Sequence, residues 1–313
     1  MHPPLALDHI EQAAATIDPV FRQTPQFSDA ALSELIGTEL VVKVETLNPI
    51  RSFKGRGADY LMRELAGDAR IVCASAGNFG QAMAYAGGRR GVPVLVFAAT
   101  TANAAKVTRM RQLGAEVILA GADFDEAKDA ARSYAGGRPG CLFVEDGAQP
   151  RIAEGAGSIG VELAALAIDT LLVPVGNGAL ISGVGRWLKA TSPDTRIVGV
   201  CAAGAPAMAD SWRAGRPVCA PSAATMADGI AVRVPVPAAV EWMRDTVDDV
   251  VLVGEDQLLA AMLTVRDTLG LLIEPSAAAG IAAATGQYPG QRVATIITGA
   301  NLSADLLARL TRG

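Results

Sequence analysis

Val173-Pro174-Val175-Gly176-Asn177-Gly178-Ala179-Leu180-Ile181-Ser182-Gly183 is the stretch that decides the fold. The apolar run Thr170–Val175 has strand composition, the glycines form a turn, and the residues beyond read as a helix. A strand that passes through a glycine-rich turn into a helix presents free backbone N–H groups to an anion, which suits a phosphate. Outward from here the alternation repeats. Strands are expected at Glu39–Glu45, Arg70–Ala74, Pro93–Ala98, Ala115–Ala120, Arg196–Val200, Asp249–Val253 and Arg292–Thr298. Helical patterns fall between them at Gly80–Gly87, Ala102–Leu113, Asp123–Tyr134, Ala156–Leu166 and Asp256–Thr268. The class is therefore α/β with a largely parallel sheet, and ligands of such sheets sit beyond the carboxyl ends of the strands. Pro206 to Ala231, carrying Gly215, Pro217 and Pro221, reads as a long surface excursion.

The chain has 313 residues, which suggests two lobes, and half of them are hydrophobic. A net charge of -5 without a dense Lys/Arg block excludes a nucleic-acid surface. No run reaches the roughly 18 apolar residues of a membrane helix. Met1 to Glu11 lacks a basic start followed by an apolar core, which argues against secretion. Cys73, Cys141, Cys201 and Cys219 stand far apart with no C-x-x-C pair, a pattern of reduced, buried thiols that fits a cytoplasmic protein. The two histidines, His2 and His9, lie in the first ten residues. That excludes a Ser-His-Asp triad, a Cys-His pair and a multi-histidine metal site. Acid–base chemistry is left to lysine, carboxylates, hydroxyls or a cofactor.

Three further segments stand out. Arg51-Ser52-Phe53-Lys54-Gly55-Arg56-Gly57-Ala58 places a lysine at a helix start, beside an aromatic and between glycines. A lysine becomes nucleophilic when its neutral form is favoured, and a helix N-terminus works in that direction; taken alone, the segment reads first as a surface lysine on a helix. Ala74-Ser75-Ala76-Gly77-Asn78-Phe79-Gly80-Gln81 turns from strand to helix and offers N–H groups and small polar side chains to a carboxylate, or simply caps a helix with Ser75 or Asn78. Ile297-Thr298-Gly299-Ala300-Asn301 puts a hydroxyl at a strand end, facing a heterocycle nitrogen or capping the last helix. The 176–183 turn is no G-x-G-x-x-G, and the following strand ends in Cys201 rather than an acid, against a dinucleotide oxidoreductase. There is no G-x-x-x-x-G-K-[ST].

In order and spacing these four segments resemble the fold-type II pyridoxal-phosphate family, in its threonine/serine dehydratase and serine racemase branch. The likeness runs from Thr24-Pro25 almost to the end, supported by Lys43-Val44-Glu45, Gly121 to Ala127, Thr225 to Ile230 and Glu274-Pro275-Ser276. It implies two open, largely parallel sheets with flanking helices, like the tryptophan synthase β subunit. Residues 1–65 and 145–313 would form a large cofactor domain and 66–144 a small substrate-loop domain. It implies pyridoxal 5'-phosphate bound to Lys54, with Phe53 near its ring and Asn78 at its phenolic oxygen. Gly176, Asn177, Gly178, Ala179 and Leu180 would hold its phosphate, and Thr298 would face its pyridine nitrogen. Ser75, Ala76 and Gly77, with Asn78 and Phe79, would take the substrate carboxylate. A small amino-acid substrate and a homodimer are implied as well.

The departures sharpen the expectation. Racemases of this branch carry a hydroxyl where Ala76 stands, so elimination is favoured over racemisation. Related enzymes often bind a divalent cation through carboxylates just after the strand end that falls here at Val200, but in the stretch Gly199 to Ala207 the expected acids are a cysteine and an alanine, so no metal is expected there. The Gly176-Asn177-Gly178-Ala179 turn, Thr298 and the stretch Arg151 to Gly155 lean towards threonine synthases. Phe79 replaces a frequent histidine, and Glu145-Asp146-Gly147 replaces a common His-Pro-aromatic/polar segment. The expected reaction is β-elimination from a hydroxy-amino acid such as L-threonine or L-serine to a 2-oxo acid and ammonia, with the cofactor phosphate as acid for the departing hydroxide. Alternatives are a threonine synthase-like or cysteine synthase-like replacement enzyme, and a dehydratase for 3-hydroxyaspartate or a phenylserine-like substrate. A catalytically idle protein on the same fold is a further one. The chain ends at Gly313, so no C-terminal regulatory domain is expected.

Overall fold

The computed structural model describes residues 2–65 and 69–311. Its strands are β1 (Gln26–Ser28), β2 (Glu39–Val44), β3 (Arg70–Ala74), β4 (Val94–Ala98), β5 (Glu116–Leu119), β6 (Cys141–Phe143), β7 (Thr170–Pro174), β8 (Arg196–Ala202), β9 (Asp249–Val253) and β10 (Arg292–Ile297). Among the described residues they form a six-stranded sheet, β1-β2-β10-β7-β8-β9, and a four-stranded sheet, β5-β4-β3-β6. All pairings are parallel except β1 with β2. Every residue of β4 and β7 is buried, as continuous apolar strands covered on both faces must be.

Side chains alternate between the two faces of each strand, and this distributes the core. In the large sheet Val41, Leu171, Val173 and Ile197 point to one side, under the helices Leu7–Thr16, Pro150–Leu163, Ala179–Thr191 and Pro237–Thr246. Leu40, Val42, Leu172 and Val198 point to the other, under Ala30–Ile36, Glu255–Leu269 and Pro275–Ala284. Ile71, Cys73, Val94 and Val96 of the small sheet join the first of these cores. Its opposite face, with Val72, Leu95 and Phe97, packs on Ala131 and Ala135. One continuous core thus ties the small sheet to the large one.

Two expectations are corrected. The helix expected from Ala156 begins at Pro150, where proline's missing N–H is harmless. Its glycines are there for contact rather than to break it: a Cβ on Gly155 would lie 2.7 Å from Gly57 Cα, and one on Gly157 would lie 2.9 Å from the Gly183 carbonyl oxygen. The excursion expected from Pro206 starts only at Gly215, because Ala207–Ala214 is a helix that buries Ala207, Met208 and Ala209.

The parallel register aligns the strand ends that carry the distinctive turns. Ile297 of β10 lies opposite Val44 of β2. The ladder continues as Glu45 N–H donates to the Ile297 carbonyl (3.0 Å) and Phe53 N–H to the Thr298 carbonyl (3.0 Å). The lysine turn and the Thr298 turn are therefore held side by side.

Candidate active site

A cavity of about 480 Å³ opens at the carboxyl ends of both sheets. It is lined by Phe53 and Lys54, by Ser75 to Phe79, by Gly176 to Leu180 and by Thr298, so all the residues singled out in the sequence meet there.

Lys54 is the first residue of the helix Lys54–Arg63. The turn before it contains Arg51 at φ +50°, a conformation that non-glycine residues seldom adopt. The Asn48 side chain braces that turn, donating to the carbonyls of Glu45 (2.8 Å) and Ser52 (3.2 Å) and accepting from Ile50 N–H (3.1 Å). Behind the helix, fully buried Arg56 makes two 2.8 Å bonds to Glu45 and reaches Glu162 at 2.6 Å. Burial works against its charge, but the two carboxylates outweigh burial and hold its guanidinium above the ordinary value. In front, Lys54 Nζ lies 2.5 Å from Asp146 Oδ2 and 4.8 Å from the centre of the Phe53 ring. The Phe79 ring centre is 6.0 Å away.

Ser75 lies two residues before the Gly77 N-cap. Its hydroxyl oxygen accepts from Gly77 N–H (3.1 Å) and Gly80 N–H (2.9 Å), shaping the helix start, while its O–H hydrogen stays available to a carboxylate. Asn78 is not a cap. Its Nδ2 donates to Glu274 Oε1 (2.6 Å), and its Oδ1 accepts from Asn301 Nδ2 (2.8 Å), so its amide has one orientation. Asn301 N–H also donates to Glu274 Oε2 at 3.1 Å. Glu274 is 3% exposed, and burial first, then Asp228, pushes its carboxyl up to about 7. Sequence reasoning noticed Glu274 only as part of a matching stretch; its signal was an acid set just before Pro275 at a helix start.

Gly178, at φ +85°, caps the helix Ala179–Thr191 without a side-chain hydrogen bond. First-turn N–H groups left without such a partner are what an anion requires. Around the mouth, ion pairs join the small sheet's helices to the 215–236 loop: Lys106 with Asp228, and Arg233 with Asp123 and Asp125. Among the described residues no three His, Cys, Asp or Glu side chains are grouped to hold a metal. Cys201 is buried, and burial pushes its thiol up to about 12.

Residues 17–299 match the family model described as pyridoxal-phosphate dependent enzyme. The chain belongs to that family. This pyridoxal-phosphate enzyme is 34% identical over 313 residues to the L-threonine ammonia-lyase of Thermotoga maritima, covering 98% of the chain and 78% of the relative. It is 35% identical over 297 residues to the phenylserine dehydratase of Ralstonia pickettii, covering 92% and 90%. Among solved structures it is similar to the processed form of threonine deaminase isoform 2 from Solanum lycopersicum (TM-score 0.89, 30% identity, 99% and 95% covered). It is also similar to maize serine racemase (TM-score 0.91, 28% identity, 98% and 97% covered). The fold is thus fold-type II and the cofactor pyridoxal 5'-phosphate. The cavity suits that cofactor, offering a lysine amine for its aldehyde and an uncapped helix start for its phosphate. No described helix is long and apolar enough to cross a membrane.

Proposed function

We propose that this pyridoxal-phosphate enzyme eliminates water from a small hydroxy-amino acid such as L-threonine or L-serine, releasing a 2-oxo acid and ammonia. The observation that carries the reading is the meeting of Lys54, the Gly176–Ala179 turn and Ala76 in one cavity. Ala76 has no proton to exchange, so the site has an acid–base group on the lysine side and none in the position a racemase would use. The names of the relatives, threonine ammonia-lyase and phenylserine dehydratase, support the same reaction type.

The bound cofactor supplies an electron sink for the substrate's α-carbon. The Lys54 amine would hold the cofactor and, when free, would take the α-proton. Phe53 would pack beside the ring, Asn78 would meet the phenolic oxygen, Gly176 to Leu180 would hold the phosphate, and Thr298 would sit at the pyridine nitrogen. As a neutral hydroxyl, Thr298 does not hold that nitrogen protonated. This moderates the sink and suits prompt elimination. Ser75, Ala76 and Gly77, with Asn78 and Phe79, take the substrate carboxylate through the N–H groups and O–H of their turn.

A second reading, an aromatic β-substituent, is favoured by Phe79, Phe124, Phe143 and Val234, which line the same cavity. Phe124 and Val234 are 43% and 38% exposed, so an apolar rim awaits a cover. We assign residues 1–65 and 145–313 to the cofactor domain and 66–144 to the substrate-loop domain, on the split between the sheets. A cytoplasmic homodimer is supported by the resemblance and by four free thiols, and sedimentation at micromolar concentration checks the dimer.

Lys54→Ala tests the reading. Wild-type protein should be yellow, fix its cofactor on borohydride reduction and release oxo acid from a hydroxy-amino acid. The variant should fix none, and its turnover should fall by on the order of 10³-fold or more. Threonine formed from phosphorylated homoserine, without oxo-acid release, would instead identify a replacement enzyme.

A further inference from the structure

Hydroxide is a poor leaving group, so dehydration needs an acid; the sequence points to the cofactor phosphate, and an acid from the protein in its place must be a carboxylate or hydroxyl, because both histidines lie in the first ten residues. The carboxylates lining the cavity differ sharply in how they are engaged. Asp123 and Asp125 pair with Arg233, and Asp228 with Lys106. Glu145 faces Lys128 (3.3 Å) and Arg132 (3.2 Å). Glu274 uses both oxygens on Asn78 and Asn301.

Asp146 is engaged on one oxygen only. Its Oδ2 lies 2.5 Å from Lys54 Nζ, while Oδ1 is buried with no hydrogen-bond partner among the described residues. Native structures contain few such atoms, and a catalytic role is one of the recognised reasons for them. The backbone next to it is held in place. Gly147 adopts φ +87°, and a Cβ there would stand 2.3 Å from the Asn177 carbonyl oxygen, so the segment is pressed onto the glycine turn.

We propose that Asp146 is the general acid of the elimination, handing to the leaving hydroxyl the proton that Lys54 takes from the α-carbon. The proposal rests on the dehydratase reading. Oδ1 accepts the hydrogen of the substrate's β-hydroxyl and sets its oxygen beside the carboxyl group. The Lys54 amine takes the α-proton and becomes ammonium, and the C–H electron pair moves towards the bond between the α- and β-carbons. The ammonium passes its proton to the Asp146 carboxylate. The carboxyl then protonates the β-oxygen as the carbon–oxygen bond breaks, and the bonding pair leaves with water. Amine and carboxylate are restored, and no oxidant or reductant is needed. Addition of water to the unsaturated amine yields the 2-oxo acid and ammonia.

The test compares leaving groups in the cofactor-loaded enzyme. Asp146→Asn keeps the shape and removes the acid. With L-serine or L-threonine its kcat/KM should fall by roughly 10²- to 10⁴-fold, the contribution of a positioned acid. With β-chloro-L-alanine, whose chloride departs without a proton, it should stay within about threefold of wild type. Cofactor added to cofactor-free variant should give the wild-type absorbance. Exchange of the substrate α-proton with solvent deuterium should persist while water loss stalls. Asp146→Ser should show the same split, which guards against a folding defect peculiar to the amide. Equal loss on both substrates, or undiminished dehydration, overturns the assignment. Wild-type protein that processes chloroalanine but no hydroxy-amino acid overturns the dehydratase reading itself.

Discussion

Behind the Lys54 helix, Arg56 is fully buried and saturated by Glu45, Glu162, Ser158 and Thr24, whereas in front of the amine Asp146 leaves an oxygen unpartnered and Glu274 is pushed up to about 7. Both regions bury charge within a few residues of the same lysine. The rear cluster is balanced, two cations against two carboxylates, with Lys43 Nζ 2.5 Å from Glu162 and each charged group paired. At the front Glu274 has both oxygens engaged, and it is Asp146 whose Oδ1 has no partner among the described residues. A closed network fixes the backbone that carries the lysine, and an open one leaves an oxygen able to meet the substrate.

The rear cluster yields the largest expected effect. Arg56→Met leaves Glu45 fully buried with only the Thr24 hydroxyl as a partner, while Glu162 keeps Lys43. Breaking a buried pair from one side costs about 3–5 kcal/mol, which urea denaturation would read directly. Adding Glu45→Gln should recover part of that loss. An Arg56→Met protein as stable as wild type would mean the rear cluster is no more essential than a surface pair, and the contrast would fail.

Glu274 supplies the next test, through pH. Its carboxyl is raised from 4.5 to about 7 in the folded protein, so folding favours its protonated form. That stabilisation is fully present below pH 4.5 and is lost as the pH rises to about 7. The shift corresponds to about 3 kcal/mol. Glu274→Gln cannot titrate. Compared without cofactor in urea, wild type should therefore lose about 3 kcal/mol relative to the variant between pH 4.5 and pH 7.5. A difference that stays flat across that range would show Glu274 ionised throughout and move it to the side of the closed network.

The sequence made the chemistry of this site more legible than its packing. Lys54, Ser75, Asn78, Gly176 and Thr298 were visible because turns at strand ends have a composition of their own, and all five line the cavity. The long strands were read within two residues of their limits. β1 and β6 were missed: three residues at a sheet edge carry too little pattern, and their pairing is decided by neighbours remote in sequence. The helix Asn78–Arg90 was read as ending at Gly87, yet it continues, because a Cβ there would stand 2.4 Å from Val94 Cγ2 and glycine is needed for contact. Glu274 and Asp146 were legible only as residues in a stretch. What gives each a role is an amide or an amine brought from another part of the chain, and no local period encodes that.

The smallest expected effect lies at the mouth, where charge is shared with solvent. Lys106 comes from the helix Ala104–Gln112 beside the small sheet, and its partner Asp228 from the loop of the large one, so their ion pair spans the cavity opening. Lys106 Nζ also lies 4.0 Å from where a Cβ of Gly77 would stand, close to the carboxylate turn. Asp228 is 61% exposed, so water screens the pair and Lys106→Met should change stability by less than about 1 kcal/mol. Its loss should appear in substrate capture instead, as a KM raised about three- to tenfold with kcat changed less, because one positive charge leaves the path of an anionic carboxylate. Salt should raise the KM of wild type and leave that of the variant nearly unchanged, since screening removes only what the lysine supplies. If kcat falls as steeply as capture, the mouth pair acts on the reacting groups themselves, and the boundary between the screened rim and the dry chamber around Asp146 and Glu274 must be drawn further out.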